Sequence, residues 1–532
     1  MQIGARITEL AKRQPLLLML AGAFLTALTL IFPTVGILEW LTMIPMVMGL
    51  FLFCESPHAT FKKSYAYGFL TVYFYYFLIY HWFTNLYPLD FAGLDNGASL
   101  AVIGAGWLGL PLLQAIPGGL VFLIYYTVHK TRMLDRLPLL RPFLFASLWV
   151  IFEWSSTLSW TGVPWGRLCL GQIKLLPMLQ SASLFGSYFV SFLLLTVNGL
   201  LVCAILSGPK RMLCGMIAAA LFASNLAFGA IDMLLPEQND SPRVTVAVVQ
   251  GNVDSREKWG ADSYRITTER YANYTRRAVA EGAELVVWPE SAIPYFITHD
   301  RTARTFVSNL AKECGVTLIV GGFARDGEKN EYNALYMVSP DGTVSEDFYA
   351  KRHLVPFGEY VPMRNLIMTL IPPLANVSML EEDLTPGEDS GLFETAWGSV
   401  GSLICFDSIY DQLTGDSVRD GANLLIVSSN DNWFFDSKAV YQHQAQAQLR
   451  AIESGRYLAR AGNTGISSVI GPDGEILAWI DPLIEGYAVQ EVAFESQQTL
   501  YTLIGNTFVY LCGAFALCVA LIGAYRGKKR LA

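Results

Sequence analysis

The chain has 532 residues, of which 53% are hydrophobic, 13% are aromatic and only 15% are charged. This composition is too apolar for a soluble protein of this length, and it predicts a large surface in contact with lipid. The formal net charge of −8 argues against a nucleic-acid partner.

Eight long apolar runs predict membrane spans, because each is near or above the ~20 residues that a bilayer requires. In chain order the predicted spans are Pro15–Pro33, Gly36–Cys54, Tyr65–Trp82, Leu100–Val128, Leu139–Ser156, Leu179–Ser207, Met212–Met233 and Leu503–Tyr525. The fourth and sixth runs contain Pro111, Pro117 and Gly186. These residues leave open a tilted, kinked or re-entrant element in either run.

The spans divide the chain into four predicted parts. They are a membrane domain with seven spans over residues 1–235, a globular insert over residues 241–497, an eighth span over residues 503–525 and a basic tail over residues 526–532. The first run could instead be a cleaved signal peptide, but it lacks an obvious cleavage site with small residues. A membrane domain interrupted by a globular domain is therefore the predicted organisation.

Lysine and arginine cluster in alternate loops, and such residues accumulate on the cytoplasmic side of a membrane. The basic positions before the first span and after the second, fourth, sixth and eighth are Arg6, Lys12, Arg13, Lys62, Lys63, residues 129–136, Lys210, Arg211 and residues 526–530. Only the weakly basic loop with Arg167 and Lys174 departs from this alternation. We therefore expect both termini in the cytoplasm and the insert outside, on the periplasmic side of a bacterial inner membrane.

The insert alternates short β-rich runs with helical patterns, which is typical of a layered α/β domain. The predicted strands include "RVTVAVVQ", "ELVVWPES", "VTLIVGG", "WGSVGSLICF" and "ANLLIVSSN", and two hairpins turn at "SPDG" and "GPDG". Helices are predicted over residues 263–283, residues 302–313 and "KAVYQHQAQAQLRAIESGR". Reactive side chains are expected where such strands end.

Three reactive side chains follow predicted strands: Glu290, Lys351 and Cys405. Each alone has an ordinary explanation, since a strand-end acid or lysine is usually solvated and a lone cysteine usually lies in the core. Together the three residues are sufficient for acyl transfer, because Glu290 can accept the thiol proton and Lys351 can stabilise a thiolate and an oxyanion. The insert has one other cysteine, Cys314, so Cys405 either pairs with it or stays free for chemistry.

The segments "VVWPESAIP", "KRHLVPFGEYVP", "LICFDS" and "SNDNWF" resemble the motifs of the carbon-nitrogen hydrolase, or nitrilase, superfamily. With the predicted spans and with "FEWSSTLSWTGVPWG", the chain looks like the apolipoprotein N-acyltransferase family within it. The resemblance implies a multi-span α-helical membrane domain and an α/β nitrilase-like αββα sandwich. It also implies that Glu290 is the general base, Lys351 the oxyanion-stabilising cation and Cys405 the nucleophile.

The resemblance implies further site residues with less direct roles. Glu359 would be a supporting acid, and Trp259, Trp433 and Asn430 would be candidates for a mobile lid or for substrate contacts. For both tryptophans an ordinary loop-anchoring role is the alternative. Phe406-Asp407 replaces the Tyr-Glu pair usual in the family, which removes a hydroxyl and shortens the acid by one methylene.

The implied reaction transfers a fatty-acyl chain from a phospholipid to the N-terminal α-amine of a diacylglyceryl-modified lipoprotein, through a thioester on Cys405. Two alternative functions are compatible with the same sequence. One is a membrane-tethered nitrilase-type amidase with water as acceptor, and the other is a non-catalytic lipid transporter with a degenerate domain. No paired Cys/His motif typical of a metal site is present, so we expect neither a metal nor a cofactor.

Overall fold

A computed structural model of the chain describes residues 13–89, 94–206, 210–235, 240–254, 258, 262–370 and 383–528. The chain forms two compact units. The first comprises Met1–Thr84, Val102–Pro236 and Ile504–Ala532, and the second comprises Asn85–Ala101 and Glu237–Leu503. The inclusion of Asn85–Ala101 in the second unit was not predicted, because the sequence analysis treats most of this segment as a loop between the third and fourth spans. Trp259 lies outside the described residues.

The principal helices, in chain order, begin with a long apolar series. They are α1 (Pro15–Ile31), α2 (Ile44–Glu55), α3 (Phe61–Ile79), α4 (Asn96–Lys130), α5 (Leu140–Ser155), α6 (Ser187–Leu206), α7 (Arg211–Asp232), α8 (Ser263–Ala280), α9 (Arg301–Cys314), α10 (Arg364–Leu370), α11 (Asp411–Arg419), α12 (Lys438–Ser454), α13 (Leu500–Ile504) and α14 (Thr507–Lys528). Shorter helical turns lie at Pro33–Leu38, Glu39–Thr42, Tyr80–Leu86, Met133–Arg136, Leu168–Gln172, Leu176–Met178, Ala182–Phe185 and Cys405–Ile409.

The first unit is helical and strongly apolar. Among the described residues, five segments are long and apolar enough to cross a membrane: Pro33–Glu55, Asn96–Lys130, Ser187–Leu206, Arg211–Asp232 and Thr507–Arg526. The shorter helix α1 is also apolar, and α3 and α5 occupy two further predicted spans. These helices agree with a membrane domain, while the count of eight crossings and their orientation stay predictions.

The two long apolar runs with proline or glycine, the fourth and the sixth, behave differently. Helix α4 continues through Pro111 and Pro117 over 35 residues. The sixth run is instead broken at Gly186, which has a φ of 78° and separates the turn Ala182–Phe185 from α6. A glycine adopts this left-handed conformation without the steric cost that a Cβ would add.

The second unit contains two six-stranded sheets. The strands are β1 (Arg243–Gln250), β2 (Leu285–Val287), β3 (Thr317–Arg325), β4 (Glu331–Val338), β5 (Val344–Ala350), β6 (Phe393–Glu394), β7 (Ser399–Ile404), β8 (Leu424–Ser429), β9 (Leu458–Gly462), β10 (Ser467–Ile470), β11 (Ile476–Ile480) and β12 (Gly486–Ala493). The strand orders are β12-β1-β2-β3-β4-β5 and β11-β10-β9-β8-β7-β6. Each sheet has a parallel centre, β1-β2-β3 or β7-β8-β9, with antiparallel strands at its margins.

Apolar side chains of the two sheets pack against each other in one continuous core. Its members include Val246, Val248, Val287, Ile319, Leu335, Ile404, Leu424, Ile426, Ala459 and Val469. Helices α8 and α9 cover the other face of the first sheet, and α11 and α12 contact the second sheet. The predicted αββα sandwich is therefore confirmed, and it brings the ends of β2, β5, β7 and β8 to one site.

Candidate active site

The Lys351 side chain, which follows β5, lies between two carboxylates. Its Nζ is 2.9 Å from Glu290 Oε1 and 2.9 Å from Glu359 Oε2, and only 1% of the lysine side chain is exposed. The Asn333 amide nitrogen donates to both acids, at 2.7 Å to each. The structure therefore brings together three predicted residues, and it adds Asn333 from β4, which the sequence analysis missed.

Burial and charge act in opposite directions on this buried cluster. Burial raises the pKa of the Glu290 carboxyl, but the Lys351 ammonium outweighs that effect and holds the pKa below its ordinary value. Burial lowers the pKa of Lys351, and the carboxylates of Glu290 and Glu359 more than reverse this change, so its pKa is raised. Glu290 is consequently a charged base at neutral pH, as proton abstraction requires.

The second carboxylate oxygen of Glu290 is held by the loop after β8. The backbone N–H of Asn430 donates to Glu290 Oε2 at 2.9 Å. The Asn430 side-chain oxygen accepts a hydrogen bond of 2.8 Å from Asn463. Asn430, a predicted lid or substrate residue, therefore orients the base in this structure.

Cys405 is the first residue after β7 and begins a tight turn. Its φ of 50° is in the left-handed region, which is unusual for a residue with a side chain. Burial raises the pKa of its thiol, with Glu290 adding to that effect and Lys351 opposing it. The thiol is therefore protonated at rest, and a base must take its proton before it can attack.

Asp407 is a buried structural acceptor two residues beyond the cysteine. It accepts hydrogen bonds from the backbone N–H groups of Ile404 and His353, at 3.0 and 2.7 Å, and from the Tyr349 hydroxyl at 2.8 Å. Burial raises its pKa to about 6. The Tyr349 hydroxyl and the two backbone N–H groups thus hold Asp407 between the end of β7 and the segment that follows β5.

The other half of that pair, Phe406, is half-buried and makes an edge-to-face contact with Tyr410, at 5.5 Å between ring centroids. Trp433, the other described tryptophan candidate, is also half-buried and lies in the turn after Asn430. Its role in a lid or in lipid contact stays a prediction.

Cys314 and Cys405 are both free thiols.

A buried charged network lies beneath Cys405 and was not predicted. His443 Nε2 is 3.2 Å from the Cys405 carbonyl oxygen, and His443 Nδ1 is 2.8 Å from Asp431 Oδ1. Arg460 donates to the other oxygen of Asp431 at 2.6 Å. A Cβ at Gly465 would collide with the Asp431 carboxylate, so only glycine leaves room for this acid.

The same network contains the one group of possible metal ligands found among the described residues. Ligand atoms of Cys405, Asp431 and His443 lie within 4.8 Å of one another. Burial raises the pKa of the Asp431 carboxyl, but Arg460 and His443 outweigh it and hold the pKa below its ordinary value. Because the Arg460 guanidinium already neutralises this carboxylate, the donor set is poorly suited to a cation.

The chain is similar in sequence to known proteins along most of its length. Residues 245–501 match the carbon-nitrogen hydrolase family, and residues 22–200 match the N-terminal domain of apolipoprotein N-acyltransferases. The chain is 31% identical over 534 residues to the apolipoprotein N-acyltransferase of Geobacter metallireducens, covering 97% of this chain and 96% of that protein. The chain belongs to the apolipoprotein N-acyltransferase family.

A second family member, from Gloeobacter violaceus, is 31% identical and covers 95% of this chain and 94% of that protein. Among solved structures, Nit3 of Saccharomyces cerevisiae, a nitrilase-superfamily protein, is 22% identical with a TM-score of 0.38, covering 49% of this chain and 93% of that one. Membership in the family makes this membrane protein an enzyme of the acyltransferase class. The alternative of a non-catalytic lipid transporter is therefore set aside.

Proposed function

We propose that this enzyme transfers a fatty-acyl chain from a phospholipid to the free α-amine of a diacylglyceryl-cysteine at the N-terminus of a lipoprotein. The observation that carries the proposal is the buried Glu290–Lys351 pair, 2.9 Å apart, at the strand ends that also present Cys405. Support for the substrates comes from the relatives, which are named apolipoprotein N-acyltransferases.

In the first step, Glu290 accepts the proton of Cys405 Sγ, and the sulfur attacks the carbonyl carbon of the phospholipid ester. The negative charge that develops on the carbonyl oxygen is stabilised by the Lys351 ammonium. The intermediate collapses by breaking the bond between the acyl carbon and the glycerol oxygen. Glu290 returns its proton to that oxygen, so a lysophospholipid leaves and a thioester remains on Cys405.

In the second step, the lipoprotein amine attacks the thioester carbon and Glu290 accepts a proton from its nitrogen. Breaking the carbon–sulfur bond yields the amide, and the proton on Glu290 returns to Cys405 Sγ. A thioester retains the acyl-transfer potential that an amide lacks, so the second step runs toward product. The enzyme finishes the cycle with the thiol and the carboxylate with which it began.

Both proposed substrates are anchored in lipid, so they reach the site from within the membrane. The proposed location is the bacterial inner membrane, with the second unit on the periplasmic side and both termini in the cytoplasm. The alternation of basic and non-basic loops supports this orientation.

The test is an assay of the purified enzyme in detergent with a phospholipid and a synthetic diacylglyceryl-cysteine peptide. The proposal predicts a peptide that gains one acyl amide, together with an equal amount of lysophospholipid, and Cys405→Ser serves as the inactive control. Release of free fatty acid with an unmodified peptide would contradict the proposal and favour a hydrolase that uses water.

A further inference from the structure

Lys258 is a buried lysine near the site that the steps above do not use. It is 3% exposed, and its Nζ donates to the main-chain carbonyl oxygen of Glu290 at 3.1 Å. Within the described part of the chain, that oxygen is the one hydrogen-bond acceptor of the ammonium, and no carboxylate forms an ion pair with it. Burying an ammonium without a carboxylate partner is costly, which calls for a compensating charge nearby.

The main chain fixes Lys258 on both sides of the residue. Its N–H donates to the Asp254 carbonyl oxygen at 2.8 Å, and the Ser263 hydroxyl, at the start of α8, donates to the Lys258 carbonyl oxygen. The residue is therefore held by two main-chain contacts, and its ammonium by the one contact to Glu290.

A count of the charges in the site indicates why a cation is needed at Lys258. Glu290 and Glu359 carry two negative charges, while Lys351, which is hydrogen bonded to both, carries one positive charge. Their sum is one negative charge, and it stays the same when the Cys405 proton passes to Glu290, because the negative charge then moves from the carboxylate to the sulfur. Lys258 brings the sum of these four groups to zero. Asp407, whose pKa burial raises to about 6, adds a negative charge near Lys351 above that pH, and the Asp431 carboxylate is already paired with Arg460.

Electrostatic interactions link Lys258 to the two groups that exchange the proton. Burial lowers the pKa of the Lys258 ammonium to about 8, while the charges of Glu290 and Cys405 act to raise it. These interactions are reciprocal, so a cation that is stabilised by a thiolate also stabilises that thiolate.

We propose that Lys258 is a second cation of the active site, which stabilises the Cys405 thiolate and the negative charge of the intermediates that follow. The inference rests on the proposed role of Cys405 as nucleophile. Lys351 and Lys258 then share the negative charge of Glu359 and the one that passes from Glu290 to the thiolate and on to the substrate oxygen.

The test measures alkylation of Cys405 by iodoacetamide as a function of pH, from the mass of the peptide that contains it, with no lipid present. At pH 7, where the Lys258 ammonium is charged, Lys258→Met should slow alkylation about tenfold, which corresponds to a rise of about one unit in the pKa of the thiol. Lys258→Arg keeps the charge and should stay close to the parent enzyme. Lys312→Met, at an exposed position of α9, is the matched control and should leave the profile unchanged.

An unchanged alkylation profile in a folded Lys258→Met variant would overturn the proposal, as would an upward shift in Lys258→Arg equal to that in Lys258→Met. If thermal melting shows that Lys258→Met does not fold, Lys258→Gln replaces it as the uncharged variant: slowed alkylation at pH 7 supports the charge, and a parental rate rejects it. Because alkylation requires neither acyl donor nor acceptor, a failure of the proposed substrates would leave this result interpretable.

Discussion

Replacing Lys351 with methionine tests the charge arrangement at the centre of the site. The substitution removes the cation from between Glu290 and Glu359 and leaves two buried carboxylates around the Asn333 amide. Removing one partner of a buried ion pair costs about 3–5 kcal/mol. At about 2 °C per kcal/mol for a unit of this size, the melting temperature at pH 7.5 should fall by about 6–10 °C.

The pH dependence of this loss has a defined sign. In the parent enzyme the pKa of Glu290 is below its unfolded value, so its contribution to stability is present at neutral pH and is lost as the pH falls. Without the cation, at least one of the two facing carboxyls should have a pKa above its unfolded value. Its contribution is then present at low pH and is lost as the pH rises, so the deficit of the variant should shrink between pH 7.5 and pH 5.

Thermal unfolding of the detergent-solubilised proteins at both pH values measures this effect, with Lys312→Met as the surface control. Equal melting temperatures of Lys351→Met and the parent enzyme at pH 7.5 would refute the reasoning. A deficit that grows at pH 5 would refute it as well, because it would mean that protonation does not relieve the facing carboxylates.

Two further predictions concern the supports of the nucleophile. Burial raises the pKa of Asp407 to about 6, so its contribution to stability is present below its unfolded pKa and is lost as the pH rises through about 6. The loss of stability in Asp407→Asn, measured by chemical unfolding, should therefore be smaller at pH 7.5 than at pH 4.5. His443 contacts the Cys405 carbonyl and Asp431, so His443→Ala should lower kcat about tenfold or more with little change in KM. His443→Gln should recover part of that loss. A change in KM as large as the change in kcat, in both variants, would contradict a positioning role.

The strands and turns of the second unit were predictable where local sequence determines them. The apolar run "RVTVAVVQ" becomes β1 over the same residues, and the second Pro-Asp-Gly turn joins β10 to β11. Strands β6, β9 and β12 were not predicted, and for β9 the reason is physical. The arginine in "LARAG" is atypical of a core strand, and its burial becomes intelligible only when Asp431, from a separate loop, pairs with it.

The reactive residues were predictable from strand ends and motif resemblance, but their supports were not. Asn333 is 43 residues from Glu290, His443 is 38 residues from Cys405, and Lys258 is 32 residues from Glu290. Such pairings depend on the order of the strands within each sheet and on the loops and helices that pack against it, which no local pattern records. In the membrane unit, the break at Gly186 was one of the possibilities that the sequence left open, and only the backbone decided it.

The central claim is that Cys405 carries the acyl chain between the two substrates. The most direct measurement incubates the enzyme with phospholipid alone, digests it, and determines the mass of the peptide that contains Cys405, with Cys405→Ser as control. The account predicts a fatty-acyl mass on Cys405 that neutral hydroxylamine removes and that the control lacks. An unmodified thiol in enzyme that still transfers acyl chains to the lipoprotein peptide would contradict it.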